Sequence, residues 1–215
     1  MSLEPITDRR EPTAAGKLVI LSGPSGVGKS TIVRKLLQRT GDRMRLSVSA
    51  TTRPPRPGEQ DGREYHFLSH EEFTRRREAG EFLECIEVFG RGHWYGTLLA
   101  EVTPSLGAGQ WVLLEIDVDG AERALAAHPE AVSLFVTAAS DEADALRVLR
   151  ERLEARGTED PSAVERRLEV ARHELQRAPH YQHTVVNHGL DDAIDEIHRL
   201  LIEAGLPTAS SPSES

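Results

Sequence analysis

Eight consecutive residues, Gly23-Pro24-Ser25-Gly26-Val27-Gly28-Lys29-Ser30, carry the sharpest chemical signal in the chain. They fit G-x-x-x-x-G-K-[ST], a loop whose glycines let successive backbone N–H groups turn inward around a phosphate. Lys29 would reach the β- and γ-oxygens of a nucleotide, and the Ser30 hydroxyl would hold Mg²⁺. Thr31 follows at the start of a helix whose positive dipole end faces the same anion. Lys29 is one of only three lysines among 26 basic residues, so an Arg-rich composition would not have supplied it by chance. The cradle implies a nucleoside triphosphate but no single reaction, because such loops serve ATPases, GTPases and small-molecule kinases alike.

The elements around the loop agree with this reading. Lys17-Leu18-Val19-Ile20-Leu21 is a buried-strand pattern directly before the loop, and Ile32, Leu36 and Leu37 stand at helical spacing directly after it. Trp111 to Leu114 and Val132 to Val136 are two more short apolar runs, each followed by a charged, helically periodic segment. Continuous apolar strands separated by helices predict an α/β fold, a mostly parallel sheet with helices on both faces. The stretch from Ser49 to Gly96 breaks that rhythm. It opens with a Pro/Arg/Gly loop, continues through Tyr65 to Leu68, then gives a capping-box helix start at Ser69 and Glu72 and a strand over Phe82 to Phe89. This predicts an inserted small α+β subdomain. Ser140 to Arg177 is almost wholly helical in pattern, with a break at Arg156-Gly157-Thr158, and Asp160 and Pro161 are placed to cap and start the second helix.

Composition narrows the classes. The 215 residues include 26 Lys+Arg and 35 Asp+Glu, a formal charge of −9, with 38% hydrophobic residues. That length suits one α/β domain with an insertion. The acidic balance argues against a broad grip on nucleic acid. One cysteine, Cys85, excludes an internal disulfide and a multi-Cys zinc site; beside Glu84 on a strand it would face the opposite side and pack. The nine histidines show no zinc-protease spacing. No window approaches the roughly 18 apolar residues of a membrane span, which leads to the expectation of a cytoplasmic enzyme without membrane partners. Residues 1–16 read as a loose leader and 207–215 as a disordered tail.

The second segment decides the substrate. Leu46 to Glu59 (LSVSATTRPPRPGE) closely resembles the signature of guanylate kinases, followed in family order by Gly62 to Phe67, Glu81 to Glu84, Tyr95-Gly96-Thr97, Glu115-Ile116-Asp117 and Arg152 to Thr158. The resemblance covers Lys17 to Ala204. It implies ATP-dependent phosphorylation of GMP to GDP, and of dGMP in the same way. It also implies a P-loop core over 17–48 and 98–140, a GMP-binding subdomain over 49–97, a helical lid near 150–172 and a C-terminal core over 173–206. On the donor side it implies Gly23 to Thr31 as the ATP site, with Asn187 at the adenine. On the acceptor side it implies Arg53, Arg56 and Tyr65 on the GMP phosphate, with Glu59 and Tyr95 in the same site. Glu84 would accept from guanine N1–H and N2–H₂ while Ser49 and Thr97 donate to O6; adenine has the wrong pattern there. Glu115 and Asp117 would lie at the GMP and Mg²⁺ site, Asp117 sharing the metal with Ser30. Asp119 stands where the bacterial pattern has Gln. Arg152, Arg156 and Arg167 would close over the transferring phosphoryl group and, with Lys29 of the loop, make up the catalytic set.

Each residue has a plainer role open to it. Arg53 and Arg56 could be solvated loop charges, and Asp141 to Arg177 holds eight Arg against ten Asp/Glu, as a salt-laced surface helix would. Two other functions also fit parts of the pattern. One is a non-catalytic module of the same family binding phosphorylated protein segments, which would have little use for Lys29 and Ser30. The other is a P-loop kinase acting on a phosphorylated sugar, for which Ser49, Glu84 and Thr97 would have no base to read.

Overall fold

The computed structural model describes residues 16–87, 92–155 and 160–208. Its centre is a five-stranded, wholly parallel sheet in the order β2-β7-β1-β8-β9, built from β1 (Leu18–Ser22), β2 (Met44–Leu46), β7 (Trp111–Glu115), β8 (Val132–Thr137) and β9 (His183–Val186). All of β1 and all of β8 are buried, as continuous apolar runs covered on both faces require. The register Ile20↔Leu114 and Ile20↔Ser133 places β1 in the middle of the sheet. From β1 the chain crosses one way through α1 (Lys29–Thr40) to β2, and from β7 the other way through α4 (Val118–Ala127) to β8. With right-handed crossovers, moves in opposite directions put the two helices on opposite faces. α7 (Leu190–Glu203) packs beside α1, tied to it by Lys35–Asp191 at 2.7 Å and by Arg39–Asp195.

A second, mixed sheet occupies the segment that breaks the parallel rhythm. Its order is β4-β3-β6-β5, from β3 (Ala50–Thr51), β4 (His66–Phe67), β5 (Phe82–Glu87) and β6 (Trp94–Leu98). The predicted strand over Phe82 to Phe89 is described as far as Glu87, and 88–91 lie outside the described residues. Helix α2 (His70–Glu78) starts as predicted, with the Ser69 hydroxyl accepting from Glu72 N–H at 3.1 Å. A small separate core of Ala50, Phe73 and Leu98, with Cys85 packed against it, supports this sheet, so Cys85 has the packing role expected of it. The two sheets are braced through α3 (Leu99–Gly107). Glu101 on α3 accepts from Arg45 of β2 at 2.6 Å and meets His66 of β4 at 3.0 Å.

Helices α5 (Glu142–Ala155) and α6 (Pro161–Leu175) pack against each other, with Asp160 capping α6 as the sequence predicts. The expected hinge at Arg156-Gly157-Thr158 falls on 156–159, outside the described residues, as do residues 1–15 and 209–215 of the expected leader and tail. Among the described residues, no helix is long and apolar enough to cross a membrane.

Candidate active site

The phosphate-binding loop leaves the C-terminal end of the central strand β1, where open α/β sheets place ligands. Two of its glycines are demanded twice over. Gly23 has φ 144°, and a Cβ there would lie 2.1 Å from the Val136 carbonyl oxygen of β8. Gly28 has φ 105°, and its Cβ would lie 2.8 Å from Asn187 Nδ2. Val27 is buried beneath the loop, and its N–H closes a turn onto Pro24 O at 3.2 Å. Among the described α-helices, α1 alone has neither a capping side chain nor an acid in its first turn. Its first N–H groups and its positive end are thus left for an outside anion.

Several predicted residues brace this loop. Lys29 folds back across it, donating to Gly23 O at 2.5 Å and Pro24 O at 3.2 Å. Burial pulls its ammonium below the ordinary lysine range, while Glu174, Glu115 and Asp117 pull it back. Arg152 donates to Val27 O at 3.2 Å and to Asn187 O at 2.9 Å, and Asn187 Nδ2 donates to Val27 O at 2.8 Å. Asn187 is therefore buried as a strut between β9 and the loop, a job its predicted adenine contact did not include. Arg167 reaches the loop from α6, its Nη2 donating to Ser25 Oγ at 2.6 Å. Arg156 lies outside the described residues.

A cleft of about 810 Å³ runs from this loop to the second sheet, within the range of small-molecule sites. Lys29 and Ser30 line one end; Glu84, Tyr65 and Arg56 line the other, with Ser49 and Tyr95. Glu84 on β5 is 6% exposed, and the Thr97 hydroxyl on β6 donates to its Oε1 at 2.8 Å. Burial lifts the Glu84 carboxyl to about 7, which the Thr97 bond only partly opposes. Thr97 is thus committed to Glu84, whereas the sequence reading gave its hydroxyl to a guanine oxygen. The cross-strand pairing Glu84↔Thr97 explains the change, because it brings the two side chains to one face of the sheet.

The loop arginines divide. Arg56 is exposed and lines the cleft. Arg53 is turned away into an ion pair with Glu59 at 3.0 Å, donates to Pro54 O at 2.7 Å, and lies over the Tyr65 ring at 5.4 Å. Glu59 also accepts from the Arg56 N–H at 2.7 Å, so it shapes the loop from within. Tyr65 meets Tyr95 edge-on at 5.8 Å, and burial raises its hydroxyl above the usual phenol range.

The acidic strand end after β7 is also engaged internally. Glu115 Oε1 accepts from Ser30 Oγ at 2.8 Å, and Asp117 caps α4 by accepting from Gly120 N–H at 2.8 Å. Burial raises the Asp117 carboxyl above its ordinary value, with the Gly120 bond opposing it. Asp119 lines a separate surface groove with Trp94 and Arg123. Among the described residues no group of three or more His, Cys, Asp or Glu is arranged to hold a metal. Ser30, Glu115 and Asp117 offer only oxygen donors, which fits a hard cation arriving with phosphates and water better than a dedicated protein cage.

Three charged cleft residues, Arg63, Glu64 and Glu174, were not singled out from the sequence. Arg63 lines the cleft, as Arg56 does, and meets Glu64 at 3.4 Å. Glu174, near the C-terminal end of α6, is 6% exposed and lines the loop end of the cleft. Its seven-residue separation from Arg167, two helical turns, was the available signal.

Comparison with known proteins agrees with this geometry. A family model described as Guanylate kinase matches residues 15–204. The chain is 48% identical over 202 residues to the guanylate kinase of Rhodopirellula baltica, covering 94% of each chain. It is 47% identical over 187 residues to that of Symbiobacterium thermophilum, covering 87% of this chain and 85% of that one. The crystal structure of guanylate kinase from Anaplasma phagocytophilum superimposes with a TM-score of 0.70 at 30% identity, over 91% of this chain and 89% of the other. The chain belongs to the guanylate kinase family.

Proposed function

We propose that the chain transfers the γ-phosphoryl group of ATP to GMP, giving ADP and GDP, with Mg²⁺ as cofactor. The observation that carries the reading is one cleft with a phosphate cradle at one end and a buried carboxylate at the other. A P-loop alone is silent on the acceptor. Glu84 supplies the missing selectivity, since a buried carboxylate answers the paired N1–H and N2–H₂ donors of guanine and is left facing an acceptor, N1, by adenine. A sugar phosphate offers no such donor pair, and a phosphopeptide module needs no uncapped α1 or Lys29.

A GMP phosphate oxygen attacks Pγ as the bond from Pγ to the ADP oxygen breaks, and the electron pair leaves with ADP. The nucleophile already carries charge, so no general base is required. Lys29 and Arg167 lie against the loop, where they offset the repulsion of two polyanions. Arg56, with Arg63 lining the same cleft, faces the acceptor phosphate. Swinging Arg53 from Glu59 onto that phosphate would exchange one carboxylate partner for a dianion. Ser30 and Asp117 would hold Mg²⁺, which would supply charge neutralisation at the transferring group. Closure of α5 and α6 over the loop would exclude water that otherwise competes as acceptor. A coupled ADP-release assay with GMP, AMP, UMP and ribose 5-phosphate tests the reading. Turnover with GMP alone is expected; equal turnover with ribose phosphate, or none with any acceptor, contradicts it.

A further inference from the structure

The small sheet joins the central one through two short connections. Residues 47–49 lead into it from β2, an edge strand of the central sheet, and β6 returns directly into α3. The first connection lines the cleft with Ser47, Val48 and Ser49, and Tyr65 lines it from the position just before β4. β4 itself is only two residues long, His66 and Phe67, and lies at the edge of the small sheet in parallel pairing with β3. So short a parallel pairing offers few ladder bonds, and Tyr65 takes its place from whatever else holds His66.

His66 is held from two directions. Its backbone N–H donates to Ser49 O at 2.9 Å, so one residue joins two groups of the cleft, Ser49 by a hydrogen bond and Tyr65 by the chain. Its side chain lies across from Glu101 of α3, with Nε2 and Oε1 3.0 Å apart. The other oxygen of that carboxylate is given to the central sheet. Oε2 accepts from Arg45 Nη2 at 2.6 Å, and Arg45 Nη1 donates to Ser105 Oγ, one turn further along α3, at 3.2 Å. Arg45 stands just before the segment 46–49, and His66 is in register with Ala50 just after it. Glu101 therefore grips both ends of the cleft-lining connection. Its side chain is 19% exposed, so these contacts are less screened than those of a surface ion pair.

We propose that Glu101 is a positioning residue for the acceptor nucleotide, fixing Ser49 and Tyr65 through His66 and referring them to the central sheet through Arg45. The inference rests on the reading of this end of the cleft as the GMP site. Glu101 does not itself line the cleft, so its effect on GMP passes through the groups it holds. The phosphate-binding loop leaves β1, two strands away from β2 in the sheet. Loosening the Glu101 contacts thus leaves the ATP end in place and widens the range of positions open to the acceptor-binding groups, which weakens their joint hold on a ligand.

The test is steady-state kinetics with GMP and ATP varied in turn, and calorimetric titration of GMP, on the full chain as wild type, E101A, H66F and the double variant. E101A and H66F cut the same contact from its two sides. Each is expected to raise KM and Kd for GMP about tenfold, a middling value for coupling within one hydrogen-bonded network, while kcat and KM for ATP stay within about twofold of wild type. The double variant is expected to lose no more than E101A alone, because the two changes share one contact. Thermal melts establish which variants are folded, and H66F, a ring-for-ring change on a two-residue edge strand, carries the test if E101A does not fold. Unchanged GMP affinity in a folded variant, whatever its melting temperature, overturns the proposal and makes Glu101 a brace of the fold. Equal losses for GMP and ATP, or additive losses in the double variant, overturn it as well. Turnover of GMP by the wild type is measured alongside. Its absence would defeat the kinase reading, whereas its presence with unaltered GMP affinity in the variants would defeat only the positioning role.

Discussion

The two ends of the cleft are built by different means. The phosphate end is made of backbone. Its glycines, the turn at Val27 and the start of α1 lie within nine consecutive residues, and the donors are peptide N–H groups whose positions the fold of the loop dictates. The other end, to which we assign the guanine, is made of side chains from distant segments, Ser49, Tyr65, Glu84 and Tyr95, brought together by the register of a small mixed sheet. Its groups are already paired with one another, as Thr97 with Glu84 and Arg53 with Glu59. A backbone cradle can wait for its ligand with little internal competition. A side-chain site must exchange internal bonds for ligand bonds, and that exchange is where selectivity against the wrong base arises.

The largest expected effect separates the ends most cleanly. Lys29→Ala should lower turnover by about a thousandfold, the scale for losing one charged group at a transferring phosphoryl, while the Kd for GMP stays within about twofold of wild type by the same separation of sites. A comparable loss of GMP affinity would mean the ends are not independent. Next, Glu84→Ala should reduce kcat/KM for GMP by about a hundredfold, from the loss of two charge-assisted hydrogen bonds, with KM for ATP little changed. Steady-state kinetics with each substrate varied in turn checks both.

A smaller effect concerns pH. Burial raises the Glu84 and Glu174 carboxyls to about 7, from ordinary values near 4.5. The folded chain therefore binds protons more tightly than the unfolded one, and the stability these groups contribute is full below about 4.5 and lost as pH rises through about 7. Melting temperature of the ligand-free protein should fall from pH 5 to pH 8, and E84Q should flatten that fall. GMP works in the opposite sense, because guanine N–H donors favour the ionised carboxylate. GMP affinity should rise across pH 6 to 8 more steeply in wild type than in E84Q, as calorimetry at each pH would show. The smallest effect lies away from both ends: Ser69→Ala removes the cap of α2 and should cost about 1 kcal/mol of stability, with unaltered turnover.

What the sequence made legible follows the same division. The loop could be read because its chemistry is local, and glycines at set spacing between an apolar strand and a helix leave few other structures open. The caps at Ser69 and Asp160 are local in the same way, each a side chain bonding an N–H three residues on. Glu84 could be named from its motif, but its bond to Thr97 depends on a strand register with a shift between Phe82 and Glu84, which no spacing in the chain reveals. Arg53 and Arg56 look equivalent in a proline-stiffened loop, and only the fold turns one onto Glu59. Glu174 is one of ten acids in its helical stretch, and what distinguishes it is burial against a loop some 150 residues earlier.

The central claim, that Glu84 reads the guanine edge, is tested most directly by measuring the Kd of wild-type protein for GMP and for inosine monophosphate, which keeps N1–H and O6 but lacks the 2-amino group. If Glu84 accepts from both N1–H and N2–H₂, removing the second donor leaves a buried carboxylate oxygen poorly matched, and inosine monophosphate should bind at least about tenfold more weakly. Equal affinity for the two would show that the carboxylate does not face that edge of the base.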